Sequence, residues 1–402
     1  MSTKLWQRAT GCACVVLVAG GIAACGGSSS KTTSAAPASG GGSATSASSG
    51  TGTSASSGTG TSGGGSSSGA AAAVTAALKR PTSININIPL KKKPPTGKTI
   101  IFLRCSQPVC AGFEQGLAPA AKALGWKLAN VGFQPTPEAE VQAIDNAVSQ
   151  HPDGIFMTGL ARSAIQSGLA KAQAAHIPMV DGYTTNAATP PIIANVANGP
   201  SGNSANPKSI ANYIAAKNNC SGNTAVFNIP TYPILNFGTQ VMTSTLKKLC
   251  PKMQVTVHNA QATDVGTSLP GQIVSVLQRD PSIKYVAYAF GDMALGVPQA
   301  MKAAGVTADL LGFGAGEPTN VENVAKGEET AESTVGIPYG GYRAMDAFAR
   351  YFEGMSTKID TSAMNPSQLF DSTNASGVTT WSQVATPSNM PQQFYKLWHV
   401  SG

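Results

Sequence analysis

An α/β fold of two doubly wound parallel-sheet lobes is what this 402-residue sequence predicts, and three observations predict it. The first is the stretch Lys98–Trp126, KTIIFLRCSQPVCAGFEQGLAPAAKALGW. Thr99, Ile100, Ile101, Phe102 and Leu103 make a short apolar run rich in branched residues, as a strand covered on both faces requires. A loop bounded by Cys105 and Cys110 follows. A helical pattern over 111–124 then sets Phe113, Leu117, Ala120, Ala121 and Leu124 on one stripe, with Gly125 as a stop. The second observation is recurrence. Strand candidates begin near Thr99, Trp126, Asp153, Ile177 and Ile192, and again near Thr224, Gln254, Lys284, Asp309 and Glu332. That is the spacing of right-handed βαβ crossovers. The third is the Gly/Pro/Asn-rich run ANGPSGNS at 197–204, which parts the two series and reads as a crossing between lobes. Ligands in open α/β sheets bind beyond the carboxyl ends of the strands. The expected pocket therefore lies in the cleft beside Ser106 and Gln107.

Taken in order, residues 1–24 carry Lys4 and Arg8 ahead of the apolar run CACVVLVAGGIAA, the pattern of a secretory signal peptide. Ile22-Ala23-Ala24-Cys25-Gly26 resembles the lipobox of bacterial lipoproteins. The resemblance implies that Cys25 is acylated on its thiol and becomes the N-terminus of an extracytoplasmic protein, lipid-anchored to the cell membrane. Residues 25–97 read as a disordered tether. Positions 26–74 are nearly all Gly, Ser, Thr and Ala, with no aromatic residue and one charge, Lys31, so they bury too little apolar surface to offset chain entropy. A flexible chain of that length reaches roughly 45–50 Å. Within it, SININIP at 83–89 alternates like a strand whose partner the sequence does not reveal. The first lobe is expected over 98–200 plus 338–354. The second lobe and tail take 201–337 plus 355–402, ending in FYKLWHV, an alternating run that reads as a strand.

Charge excludes one class of partner. Nine of the 27 Lys and Arg fall in the first 98 residues, where there is no acid, so residues 99–402 hold 18 basic against 19 acidic groups. The globular part has no basic excess and is not expected to bind nucleic acid. Of seven cysteines, Cys12 and Cys14 fall in the signal and Cys25 at the lipid site. Three pairings of the other four are possible in an oxidising exterior. Topology selects one: Cys105–Cys110 closes the cleft loop, while Cys220, before a strand, and Cys250, at the end of the helix returning from it, share a sheet edge. Each bond is worth roughly 2–4 kcal/mol. His151, His176, His258 and His399 have no ligand spacing, so no metal is expected and no cofactor. No GxSxG elbow follows any expected strand and there is no HExxH, and the glycines of Gly312-Phe313-Gly314-Ala315-Gly316 have the wrong spacing for a dinucleotide loop. Close approach of backbone to a ligand is the better reading of that run.

The phrases AGFEQGLAPAAKALGWKL, AAHIPMVDGY, YVAYAFGDMALGVPQAMKAAG and LLGFGAGEP together resemble the ribose/galactose-binding group of type I periplasmic binding proteins, whose fold the LacI-type regulators share. The resemblance covers roughly 98–354. It implies a three-stranded hinge, with crossings near Ala197–Ser201, near Ile337–Gly341 and after Gly354. It also implies a monomer without catalysis that captures a small-molecule ligand and delivers it to the membrane subunits of an ABC importer. Two other functions are weighed against it: a ligand-presenting sensor for a membrane receptor, and an exported Rossmann-like enzyme. Where sugar-binding members carry charged or amide partners for hydroxyls, this sequence has Tyr183 and Thr184, Phe290, Gly314 and Gly336. Tyr183, Tyr232, Phe237, Phe290, Phe313 and Tyr339 stand near strand ends instead. The expected contacts are Ser106, Gln107, Asp181, Tyr183, Tyr232, Asn236, Phe290, Asp292, Phe313 and Tyr339, although Asp292, opening the MALG run, reads more readily as a helix N-cap than as a contact. Few polar partners and many rings suit an apolar or aromatic solute better than a simple sugar.

Overall fold

The structure is a computed structural model and describes residues 64–197, 202–217 and 219–401. Its first sheet holds β1 (Thr99–Cys105), β2 (Lys127–Phe133), β3 (Gly154–Thr158), β4 (Met179–Gly182) and β5 (Ile192–Val196) in the order β2-β1-β3-β4-β5, every pair parallel. The second holds β6 (Asn223–Asn228), β7 (Val255–Asn259), β8 (Ile283–Tyr288), β9 (Asp309–Gly312), β10 (Ala331–Val335) and β11 (Ser367–Phe370), ordered β11-β10-β9-β8-β6-β7. The two orders share one doubly wound pattern, which reverses between β1 and β3 in one lobe and between β6 and β8 in the other. Such reversals open the crevices where ligands bind. Strand β11 runs antiparallel to β10, so the second sheet is mixed rather than wholly parallel. Its four residues, SQLF, are too short a signal to be found by periodicity.

Local causes are plain in the unit 99–124. Ile100, Ile101, Phe102 and Leu103 of β1 are buried, and so are Phe113, Leu117, Ala120, Ala121 and Leu124 of α2 (Pro108–Leu124), the whole expected stripe. Both disulfides form as the topology required, Cys105–Cys110 with a Cα separation of 5.7 Å and Cys220–Cys250 with 5.3 Å. Trp126 is core, its Nε1 donating to the Pro95 carbonyl at 2.7 Å.

The flanks correct the sequence reading. Signal, Cys25 and most of the expected tether lie outside the described residues, but the tether reading fails from residue 64 on: Gly64–Ala77 is a helix, α1. Its AAAAVTAA core has the highest intrinsic helix propensity, which a count of small residues hides. It packs on α5 (Ala205–Lys217) and on β11. The run 83–89 joins no sheet, and Asn85 interrupts its extension with φ 57°. Ile84, Ile86 and Leu90 are buried against the first lobe, and Leu90 N–H donates to the Leu397 carbonyl at 2.9 Å. The FYKLWHV stretch is a helix, α12 (Met390–Trp398), not a strand. Phe394, Leu397 and Trp398 are its buried face at i, i+3 and i+4, which an eye set for alternation misreads.

The connections between lobes follow from these placements. From β10 the chain enters α10 (Ile337–Phe352), which packs on α2 of the first lobe, and α11 (Lys358–Ser362) packs on β5 before the chain returns to β11. Most of the expected crossing at 197–201 lies outside the described residues. Two further crossings come from the flanks. Arg80 is bonded to Thr386 and Ser382 of the second lobe while Ile84 is buried in the first, and Val384 and Ala385 pack in the second while Met390 packs in the first. The tail assigned to the second lobe thus divides between both.

Candidate functional site

The strand tips of the two sheets face each other across a cavity with about 110 Å³ of accessible space. From the first lobe, the disulfide loop after β1 brings Gln107 and Val109, and the opening of α2 brings Cys110 and Phe113. Thr158, Gly159 and Leu160 follow β3, and Tyr183 follows β4. From the second lobe come Tyr232, Ile234 and Leu235 after β6, Ala289 and Phe290 after β8, and Phe313, Gly314 and Ala315 after β9. The wall is therefore mostly aromatic and aliphatic, with contributions from both switch points.

Several contacts show the lobes closed on each other. Val109 N–H of the first lobe donates to Asp292 Oδ2 of the second at 3.4 Å. Gly159 adopts φ +104°, a conformation that favours glycine, and a Cβ there would press on the Tyr232 ring of the facing lobe at 3.2 Å. Tyr183 is locked from behind by Phe113, with ring centroids 5.1 Å apart at 73°. A ring fixed in this way is available to a solute at little ordering cost.

Of the ten expected contacts, Gln107, Tyr183, Tyr232, Phe290 and Phe313 line the cavity. Ser106 is exposed, its hydroxyl bonded to Gln134 Oε1 at 3.2 Å. Asn236 turns to Asn228 and the Pro230 carbonyl. Asp181 is fully buried behind the wall, where Thr184 and Asn186 donate to its Oδ2 at 2.6 and 2.7 Å. Asp292 is engaged with the facing lobe, in a short turn (Gly291–Ala294) whose N-cap is Phe290, so it caps no helix. Tyr339 sits in α10, buried away from the cavity with its hydroxyl on the Ile84 carbonyl at 2.5 Å; one turn past a strand end was the wrong place to look for a contact. Phe237 does not line the cavity either. In the GFGAG run, Gly314 is part of the wall, but a Cβ at Gly312 or Gly316 would strike the Glu332 carboxylate, so those two make room for a side chain rather than a ligand.

Sequence reasoning missed Glu140 and Phe133, which also line the cavity. A signal for Glu140 did exist. On α3 (Pro137–Val148) the buried positions are Glu140, Ala143, Ile144 and Ala147, an apolar stripe with an acid at its head.

The buried acids share one electrostatic character. Burial pushes the Asp181 carboxyl up from 3.8 to about 7, against the pull of its hydrogen-bond donors, and the Glu329 carboxyl from 4.5 to about 7. Burial also raises Glu140 and Glu332. Asp292 and Glu317 lie against each other in a desolvated spot, and burial pushes both carboxyls up, Glu317 to about 9 with the neighbouring Asp292 adding to the rise. These groups bind protons in the folded state that the unfolded chain has released, so they oppose folding as pH rises from about 4.5 through 7. The melting temperature is accordingly expected to be higher at pH 5 than at pH 8 by several degrees. A flat or rising profile from scanning calorimetry over that range contradicts this.

A family model described as a periplasmic binding protein domain matches residues 100–355. The chain belongs to the periplasmic binding protein family. Among solved structures, this binding-protein domain resembles a glucose-galactose binding protein from Geobacillus stearothermophilus at 16% identity and TM-score 0.60, covering 70% of this chain and 99% of that one. It also resembles an ABC transporter solute binding protein from Agrobacterium vitis bound with alpha-D-tagatopyranose (17% identity, TM-score 0.61, 73% and 100% covered). An ABC sugar transporter subunit from Rhodobacter sphaeroides gives 21% identity and TM-score 0.58, with 69% and 99% covered. At these identities the likeness is one of fold. No curated protein matches this chain by sequence.

Proposed function

We propose that this chain is an extracytoplasmic, lipid-anchored solute-binding protein that delivers a small organic ligand, more apolar or aromatic than a simple sugar, to an ABC importer. The observation that carries the reading is the cavity itself, whose aromatic wall is assembled from both lobes at both switch points. Its polar lining side chains are few: Gln107, Glu140, Thr158, Asn203 and Asn206, beside the tyrosine hydroxyls. A monosaccharide needs a charge-assisted or bidentate partner for most hydroxyls, and this set supplies one charge. The rings instead offer stacking faces to a compact apolar body. Lipidation at Cys25 would hold the domain at the membrane, within reach of the importer.

Calorimetric titration tests the ligand class. Glucose, galactose and arabinose are expected to show no micromolar binding, whereas a small aromatic solute binds and loses at least tenfold in affinity in Tyr232→Ala. A monosaccharide titrating at micromolar Kd overturns the apolar assignment. In cells, Cys25→Ala is expected to move the protein from the membrane fraction to the soluble one; unchanged membrane retention overturns the anchor.

A further inference from the structure

Glu140 is the one ionisable carboxylate in the wall, and neither of its oxygens has a hydrogen-bond partner although the residue is only 1% exposed. It heads the apolar stripe of α3, where an aliphatic side chain would pack with no unpaired charge left over. The groups whose charge acts on it make the position worse. Asp181 lies behind it and repels it, and the Tyr232 hydroxyl across the cleft feels the same negative field. No Lys, Arg or His is among the lining residues to compensate. The rings of Phe113, Tyr183, Tyr232, Phe290 and Phe313 line the same cavity. Aromatic faces attract a cation and give nothing to an anion. A single desolvated carboxyl in a ring-walled cavity, which holds its proton until a cation arrives to balance it, matches a solute that brings its own positive charge.

We propose that Glu140 pairs with a protonated or quaternary amine on the solute, so that the cavity takes a small organic ammonium ion whose apolar body lies among the rings. This rests on the solute-binding reading above and names the chemical class for that site. The incoming ammonium satisfies the two free oxygens, and charge pairing within a water-poor cavity is stronger than at the surface. Gln107 Nε2, buried and likewise unpartnered, supplies one donor to an acceptor elsewhere on the solute.

The test uses the purified full chain in thermal-shift and calorimetric titrations with 2-phenylethylamine and choline, against 2-phenylethanol, 3-phenylpropionate and galactose. At least one ammonium is expected to bind, with the neutral and anionic compounds 30-fold or more weaker. Glu140→Gln is expected to lose at least tenfold in ammonium affinity while melting at a higher temperature than the parent without ligand, since the uncompensated carboxyl is gone. Glu140→Asp, which keeps the charge, is expected to retain the preference for ammonium over alcohol. Should Glu140→Gln fail to fold, that ammonium-to-alcohol ratio in the parent and in Glu140→Asp decides. Undiminished ammonium binding in Glu140→Gln, or binding of the alcohol or galactose alone, overturns the inference while leaving a solute-binding protein. No binding by any compound of the set overturns both readings.

Discussion

Arg350→Met is expected to destabilise the protein by about 3–5 kcal/mol, read as a fall in the urea midpoint with little change in slope. Arg350 is fully buried in α10. Its Nε donates to Asp346 Oδ2 at 2.8 Å and lies 3.3 Å from Asp360 Oδ2, while another guanidinium nitrogen donates to the Ile88 carbonyl at 2.6 Å. Asp346 in turn accepts from Trp398 Nε1 at 2.6 Å. One side chain thus ties the extended segment before the first lobe, the helix after β10 and the C-terminal helix into one knot. Burial and the neighbouring Asp346 charge already push the Asp360 carboxyl up, so removing this cation leaves the two acids with Arg343 alone to balance them. The methionine fills comparable volume, which isolates the charge effect from a cavity effect. Arg350→Met combined with Asp346→Leu is expected to recover part of the loss, because one stranded carboxylate goes with it. A single variant within 1 kcal/mol of the parent sinks the account.

Gly116→Ala is the second large effect. Helices α2 and α10 meet along glycine, and a Cβ at Gly116 would collide with the carbonyl oxygen of Pro338. On the facing side, a Cβ at Gly341 would come within 2.6 Å of both Leu117 N and Phe113 O. Backbone atoms cannot rotate away as a side chain can, so the helices must separate. Overpacking of this kind costs about 1–3 kcal/mol and occasionally more. We expect roughly 3 kcal/mol here, seen as a melting temperature lower by about 6–12 °C. Since α2 carries Phe113 into the cavity wall, solute affinity is expected to fall as well. An alanine variant that melts with the parent would show that the helix contact is looser than its geometry.

The sheets were legible in the sequence because buried parallel strands are apolar on both faces and recur at crossover spacing. The runs at 99–103 and 283–288 could hardly be anything else. The two disulfides were legible for the same reason, once the strand order was assumed. What periodicity could not reach was the flanks. Alanine-rich α1 has no apolar face to count, and α12 hides its helical stripe inside an apparent alternation at Phe394, Leu397 and Trp398. The cavity was half legible. Rings directly after strands β4, β6, β8 and β9 do line it, since strand ends converge on the cleft. Tyr339 failed because it lies one turn into a helix, and Asp181 and Asn236 because a short polar side chain meets local donors first. Glu140 was overlooked because helix interiors were read for core, not for contacts.

The segment from α1 to Leu90 has a mechanical corollary. Leu78 accepts hydrogen bonds from Gln368 and Asn374, and Arg80 is clamped to Ser382 and Thr386, all on one half; four residues later Ile84 is embedded in the other. That strap and the 386–389 span act as two leashes beside the pivot, so gaping is bounded by chain length as well as by hinge torsion. Anything pulling on the chain ahead of Gly64 therefore tugs the outer helix of one half and leaves the other to swing.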